Sequence, residues 1–411
     1  MRITKQALLL LTAFICCLFL AGCGSNPGCN VNITSSGSGG SEGFGAAPNN
    51  CNANGGTSGS GGVGASSAFV YYLSGTDIAA AGLGSNGSLT TLTGVTAKQS
   101  GTFSDDMLVV NKKFLYVPFN DTNSVQALAI GANGALTSIT GSPFALQAAG
   151  QTDAVVSDPQ GRFLFVGGES NGAISVFQIN PATGALTEAP GSPFVSFGLI
   201  SADSMAVDGS GKFLYAAQAS ASSPVGVFSI DQNSGALSPI VGSPFALNVA
   251  QLHADSSGKF LLGVQEIQDA YGSATASDHH IYVFAIDPTT GTPFAVPGSP
   301  FATVSAPFDF AIHPNGKFVY VTGNDATNGL AAIEGYQLDP ATGALTALPG
   351  SPFTTLGPSS QCKFDESGGI MICSLGSSGF EVVSVNATTG AVSHSGTDLS
   401  GVSSYPFAVT D

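Results

Sequence analysis

Ala154-Val155-Val156-Ser157-Asp158-Pro159-Gln160-Gly161-Arg162-Phe163-Leu164-Phe165-Val166 holds two β-prone runs around one tight turn. Ile174–Ile179 follows as a third run. Asn180-Pro181-Ala182-Thr183-Gly184 then turns the chain into a fourth, which begins at Ala185-Leu186-Thr187. Val, Ile and Phe suit a pleated, half-buried surface. Pro and Gly satisfy the dihedral demands of turns. The stretch therefore predicts four short antiparallel strands, A to D, with tight A–B and C–D turns.

The same unit recurs along the chain. A Phe-Leu-Tyr-like run marks strand B at 69–71, 114–116, 163–165, 213–215, 260–262, 318–320 and 370–372. Gly-Ser-Pro-Phe marks the end of five units, at 141–144, 191–194, 242–245, 298–301 and 350–353. Seven units spaced 45 to 58 residues apart are the signature of an all-β, seven-bladed β-propeller of four-stranded antiparallel blades. The first unit has a strand B with no strand A before it. The chain ends in Tyr405-Pro406-Phe407-Ala408-Val409, a strand A with no strand B after it. The C-terminal strand is expected to join the first blade and close the ring, removing a free sheet edge.

Composition limits the rest. The 411 residues include 10 basic and 26 acidic ones, for a net charge of −16. Nucleic-acid binding needs clustered Lys and Arg, so it is excluded as an expectation. With 43% hydrophobic residues and 27 Phe, the chain can build a core. The head is expected to be monomeric.

Residues 1–22 read as a signal peptide: Arg2 and Lys5, an apolar run Ala7–Leu20, then Leu20-Ala21-Gly22-Cys23. That end resembles the bacterial lipobox, which implies cleavage before Cys23 and lipid on its thiol. Residues 23–66 are rich in Gly, Ser and Asn and read as a tether. Residues 67–411 form the propeller. The expected address is the bacterial cell envelope, anchored by lipid to the outer membrane, because no Asp follows Cys23. Cys29, Cys51, Cys362 and Cys373 remain after export, an even number consistent with two disulfides. Cys362 and Cys373 flank a turn and could face each other on a hairpin.

The pattern F-x-I-D-P-x-T-G-A-L-T…G-S-P-F, then D-P-x-G-K-F-L-Y-V, resembles the seven-bladed propeller lactonases. That family includes 6-phosphogluconolactonase-type and muconate-cycloisomerase-type propellers. Val319-Tyr320-Val321-Thr322-Gly323-Asn324 is also similar to the Tyr-Val-Thr-Asn strand of surface-layer repeats. The resemblance spans 67–411 and implies the propeller fold. It also implies lactone hydrolysis by His, Arg and Glu side chains at the funnel.

The residues point to the funnel on the face of the B–C and D–A loops, where loop lengths vary. Counting along the units places Asp106, Asp153, Asp203, Ala250, Phe308, Ser360 and Pro406 at the entrance of the inner strands, with Asp105 and Asp309 beside them. Asp106, Asp153 and Asp203 are the candidate catalytic carboxylates. They could act as a general base, or bind Ca²⁺ or Mg²⁺ through oxygen, or simply cap strands. No cofactor is required. The longest B–C loop, from Gln265, carries Tyr271, Asp278, His279 and His280, which join Asp105, Asp309 and Ser360 as candidate ligand contacts. Adjacent His residues on a strand face opposite ways, which opposes joint metal ligation. Arg162, Lys212, Lys259 and Lys317 fall in A–B turns on the other face, so a sugar phosphate would meet an acidic mouth. The sequence therefore favours a binding module for a small molecule or an envelope protein. A lactone hydrolase acting on a neutral or cationic lactone is the alternative.

Overall fold

Seven sheets follow one another in the chain. The computed structural model describes residues 68–410, apart from 102–105, 148–151, 169–171, 196–198, 200, 219–223, 266–277, 326–330, 358–360 and 395–398 and the side chains at 153, 324 and 325. The expected signal peptide, Cys23, the tether, Cys29 and Cys51 lie outside the described residues. No helix of the described residues is long and apolar enough to cross a membrane.

Each sheet is a blade with strands A to D in antiparallel order from the axis outward. Strand A is Phe407–Val409 in blade 1, Leu108–Val110 in blade 2, Thr152–Ser157 in blade 3 and Ser204–Val207 in blade 4. It is Gln251–Ala254 in blade 5, Ser305–Ile312 in blade 6 and Gln361–Phe364 in blade 7. These inner strands lie one against the next, and blade 7 meets blade 1, which meets blade 2. Ring closure is as the sequence predicts. Val70, Tyr71 and Tyr72 of strand B pair with Val409, Ala408 and Phe407. Two further bonds pin the seam: Phe69 N–H donates to Thr410 Oγ1 at 2.6 Å, and Thr410 N–H donates to the Phe69 carbonyl at 2.8 Å.

The fold has no single core. Seven apolar clusters each span a pair of adjacent blades, for example Phe163, Phe165 and Ile174 of blade 3 with Leu214, Phe228 and Ile230 of blade 4. Burying each such side chain contributes about 1.5–3 kcal/mol.

The repeated motifs act between and within blades. The Tyr of strand B donates its hydroxyl to the glycine carbonyl of the next blade's C–D turn. Tyr71 reaches Gly134 at 3.0 Å, Tyr116 reaches Gly184 at 2.8 Å, Tyr215 reaches Gly291 at 2.8 Å and Tyr320 reaches Gly390 at 2.9 Å. The Phe of the same strand packs under that glycine. A Cβ on Gly291 would lie 2.4 Å from the Phe213 ring, and φ there is +76°. This explains why Phe-Leu-Tyr and Thr-Gly recur together.

The Gly-Ser-Pro-Phe motif makes a feature that the four-strand reading omitted. Its Phe pairs with strand C, adding a short fifth strand such as Phe144–Ala145 or Phe353–Thr354. In blade 4 this shrinks to a single bridge, Val225 with Phe245. The motif's Ser hydroxyl accepts a strand C N–H in all five copies, from Ala127, Val176, Val227, Val283 and Gly335 at 2.8–3.0 Å. The Ser–Pro bond is cis in each.

Cys362 and Cys373 face each other directly across strands A and B of blade 7 and form a disulfide, as their position on a hairpin suggested.

Candidate functional site

Strand A is the inner edge of every sheet. Its axis-facing N–H and C=O groups have no further strand to pair with and need other partners. Side chains of the preceding blades supply several. Ser204 Oγ of blade 4 accepts the Leu252 N–H of blade 5 at 2.9 Å. Asp106 Oδ2 of blade 2 accepts the Val155 N–H of blade 3 at 3.2 Å. Lys363 Nζ of blade 7 donates to the Phe407 carbonyl of blade 1 at 2.8 Å.

The strand A to B pairing fixes which inner residues share a level. Leu108, Val156, Ala206, His253, Ala311, Lys363 and Ala408 each pair with the third residue of the Phe-Leu-Tyr run. Side chains alternate along a strand, so residues two steps earlier form the next level. These are Asp106, Ala154, Ser204, Gln251, Asp309, Gln361 and Pro406. The entrance ring read from the sequence is therefore off by one step at Pro406 in blade 1 and at Asp106 in blade 2, which share a level with Ser204, Gln251 and Asp309. In blade 2 the cause is a turn one residue shorter: Val110 pairs with Phe114 across Asn111-Lys112-Lys113, with Asn111 and Lys112 at φ +53° and +57°.

Two groups of polar side chains come together on these levels. The first joins blades 5 and 6. His253 Nε2 lies 3.3 Å from Asp309 Oδ1, and Gln251 Nε2 donates to the same oxygen at 2.9 Å. The Asp309 side chain is 3% exposed, whereas the His253 side chain is 42% exposed. The imidazole thus stands toward solvent on a buried carboxylate. Its edge meets the Phe310 ring at 4.8 Å between centroids, which limits its rotation. A bulge between Pro307 and Asp309 turns Asp309 to this position; Phe308 is the extra residue.

The second group joins blades 7, 1 and 2. Lys363 Nζ lies 3.6 Å from Asp106 Oδ1 and 5.3 Å above the Phe407 ring. The Met107 N–H also donates to Asp106, at 2.8 Å. Burial pushes the Asp106 carboxyl above its ordinary range, and the Lys363 charge and the two backbone N–H groups oppose that rise.

The remaining candidates separate. Asp203 receives the Ser201 hydroxyl at 2.7 Å and its own N–H bonds the Ala217 carbonyl. Asp153 is the bulged residue between Thr152 and Ala154, and its side chain is outside the described set. Asp105, Tyr271 and Ser360 are also outside the described residues. His280 and Asp278 pair at 2.6 Å, and the Tyr282 hydroxyl donates to Asp278 at 3.0 Å. They sit at the start of strand C of blade 5, two strands out from the channel. His279 contributes its carbonyl to the Thr303 N–H. No group of three His, Cys, Asp or Glu able to hold a metal ion occurs among the described residues.

Sequence reasoning named Asp309 as a candidate ligand contact. It passed over Lys363. Counting back from the Ile370-Met371-Ile372 run finds it, because Lys363 stands where His253 stands two blades earlier. The A–B turn acids are structural. Asp158, Asp208 and Asp255 each accept two backbone N–H groups through one oxygen, at 2.6–3.0 Å.

Residues 101–247 match the family model described as Lactonase, 7-bladed beta-propeller. No curated protein matches the chain. Among solved structures, a putative 6-phosphogluconolactonase from Bacteroides uniformis superposes with a TM-score of 0.64 at 16% identity, over 83% of this chain and 98% of that one. A second, from Bacteroides fragilis, gives 0.60 at 16% identity over 83% and 97%. The periplasmic gluconolactonase of Pseudomonas aeruginosa gives 0.59 at 15% identity, over 83% and 99%. At these identities the likeness establishes the seven-bladed fold.

Proposed function

We propose that the propeller hydrolyses lactones in its central channel, with His253 as the proton acceptor and Asp309 as the residue that holds it. The carrying observation is the His253–Asp309 pair on the inner strands of neighbouring blades. A solvent-facing imidazole on a buried carboxylate is suited to general-base work. The lactonase-model match and the names of the structural neighbours support the same reaction class.

In this reading His253 takes a proton from water as the water oxygen bonds to the acyl carbon. The ring C–O bond breaks, and the leaving alkoxide takes the proton back. The product is a hydroxy acid, which ionises at neutral pH and releases one proton. The substrate is uncharged. Lys363 faces Asp106, and the other carboxylate, Asp309, faces His253, so these two groups offer no surplus cation to a phosphate. We also propose that residues 1–22 direct export and that lipid on Cys23 holds the protein at the outer membrane.

The binding-module reading has one observation in its favour. Lys363 and Asp106 already bond the backbone of neighbouring blades, which is a scaffold role. One experiment separates the two. The purified full chain is held in a pH-stat with a panel of neutral lactones. Hydrolysis predicts acid release that falls roughly 10²–10⁴-fold in His253→Gln, with an unchanged melting temperature. A flat trace for the unaltered protein across the panel rejects hydrolysis and leaves binding.

A further inference from the structure

Successive N–H groups of strand A point alternately to strand B and to the channel. Bonds beside the A–B turns fix the phase. His313 N–H donates to the Phe318 carbonyl in blade 6, Asp365 N–H to Ile370 in blade 7 and Thr410 N–H to Phe69 in blade 1. Two residues earlier, Ala311, Lys363 and Ala408 therefore also face strand B. The N–H groups just before these, on Phe310, Cys362 and Phe407, face the channel.

Three other blades spend the equivalent N–H on a side chain. Asp106 accepts from Met107 at 2.8 Å and from Val155 at 3.2 Å, and Ser204 Oγ accepts from Leu252 at 2.9 Å. Gln251, Asp309 and Gln361 stand where Asp106 and Ser204 stand, one blade before Phe310, Cys362 and Phe407. They do not serve in this way. Gln251 donates to Asp309, Asp309 Oδ1 is taken by Gln251 and His253, and Gln361 Oε1 bonds nothing among the described residues. Among the described residues no acceptor meets the N–H of Phe310, Cys362 or Phe407.

Phe310 stands out of the three. Its N–H belongs to the peptide that joins Asp309 to Phe310, and His253 touches the side chains at both ends of that peptide. Nε2 lies 3.3 Å from Asp309 Oδ1, and the imidazole edge meets the Phe310 ring at 4.8 Å between centroids. An unspent donor thus opens on the channel beside the imidazole.

We infer that the Phe310 N–H receives the carbonyl oxygen of the lactone while His253 acts on the attacking water. The inference rests on the hydrolase reading above. As the water oxygen bonds to the acyl carbon, the carbonyl electron pair moves onto its oxygen, and the N–H stabilises the charge gained there. The pair returns as the ring C–O bond breaks. A backbone donor carries no net charge and is held in place by the strand. It suits a substrate that is neutral at rest and anionic only at the transition state.

The test places phenyllactate at position 310 of the full chain by nonsense suppression. This keeps the ring and replaces the N–H by an ester oxygen. The melting temperature is expected to stay unchanged, because that N–H bonds no protein acceptor. On δ-valerolactone, kcat is expected to fall about 10²-fold with KM little altered. An unchanged kcat overturns the inference. Should the unaltered protein hydrolyse no lactone, the hydrolase reading falls and binding decides the donor. A six-membered cyclic phosphonate, whose anionic oxygen mimics the transition state, is expected to bind about tenfold tighter or more than δ-valerolactam. Phenyllactate at 310 is expected to erase that preference. Equal affinity for the two, or a preference that survives phenyllactate, overturns the inference. If the phenyllactate protein does not fold, the comparison of phosphonate with lactam on the unaltered protein decides alone.

Discussion

The outer strands of the seven blades repeat one another, whereas their inner strands do not. Four blades use the same Tyr hydroxyl on the same turn glycine, and five use the same Ser hydroxyl on strand C. At one level of the inner strands the residues are Leu108, Val156, Ala206, His253, Ala311, Lys363 and Ala408. Five are apolar. A residue that repeats around a ring answers a need every blade shares, which is packing. Lys363 serves the need of the inner edge for backbone partners, whereas His253 marks where one blade does something its neighbours do not.

The contrast can be broken first at a turn glycine. Gly291→Val puts a side chain into the Phe213 ring at positive φ. It is expected to destabilise the fold by about 3 kcal/mol or more, read as a lowered urea midpoint. A loss below about 1 kcal/mol would show that this motif is not a packing device. Tyr320→Phe should cost about 1 kcal/mol, since it removes one buried hydroxyl bond to Gly390. Tyr116→Phe and Tyr215→Phe should cost similar amounts, and widely unequal values would count against equivalent blades.

The smallest effect concerns a turn that departs from the repeat. Blade 6 has His313 where blades 3, 4, 5 and 7 have Asp158, Asp208, Asp255 and Asp365. Burial pushes the His313 pKa below its ordinary value. The unfolded chain takes up a proton near pH 6.5 while the folded protein does not. Stability present above that pH is therefore lost as pH falls through it. The unaltered protein should lose more melting temperature between pH 7 and pH 5 than His313→Asp does. Parallel pH curves for the two proteins would remove His313 as the cause.

The same contrast decides what could be read from the sequence. Turn glycines, Phe-Leu-Tyr runs and the orphan C-terminal strand are local signals, and they gave the blade count, the closure and the Cys362–Cys373 bridge. The site depends on pairs from different blades. His253 meets Asp309 only because a bulge at Phe308 re-aims the strand. Asp106 shifts level because one turn is a residue shorter. Neither register change has a strong sequence signal. The fifth strand was visible as Gly-Ser-Pro-Phe, but the role of its Ser depends on a strand C partner about 15 residues away.

We propose that His253 and Asp309 work as one unit in an otherwise repetitive ring. A double-mutant cycle on lactone hydrolysis tests it most directly, using His253→Gln, Asp309→Asn and the double variant. The double variant is expected to be no slower than His253→Gln alone, because in this proposal Asp309 acts through the imidazole. Losses that multiply, or an Asp309→Asn protein that hydrolyses at the unaltered rate, would contradict it.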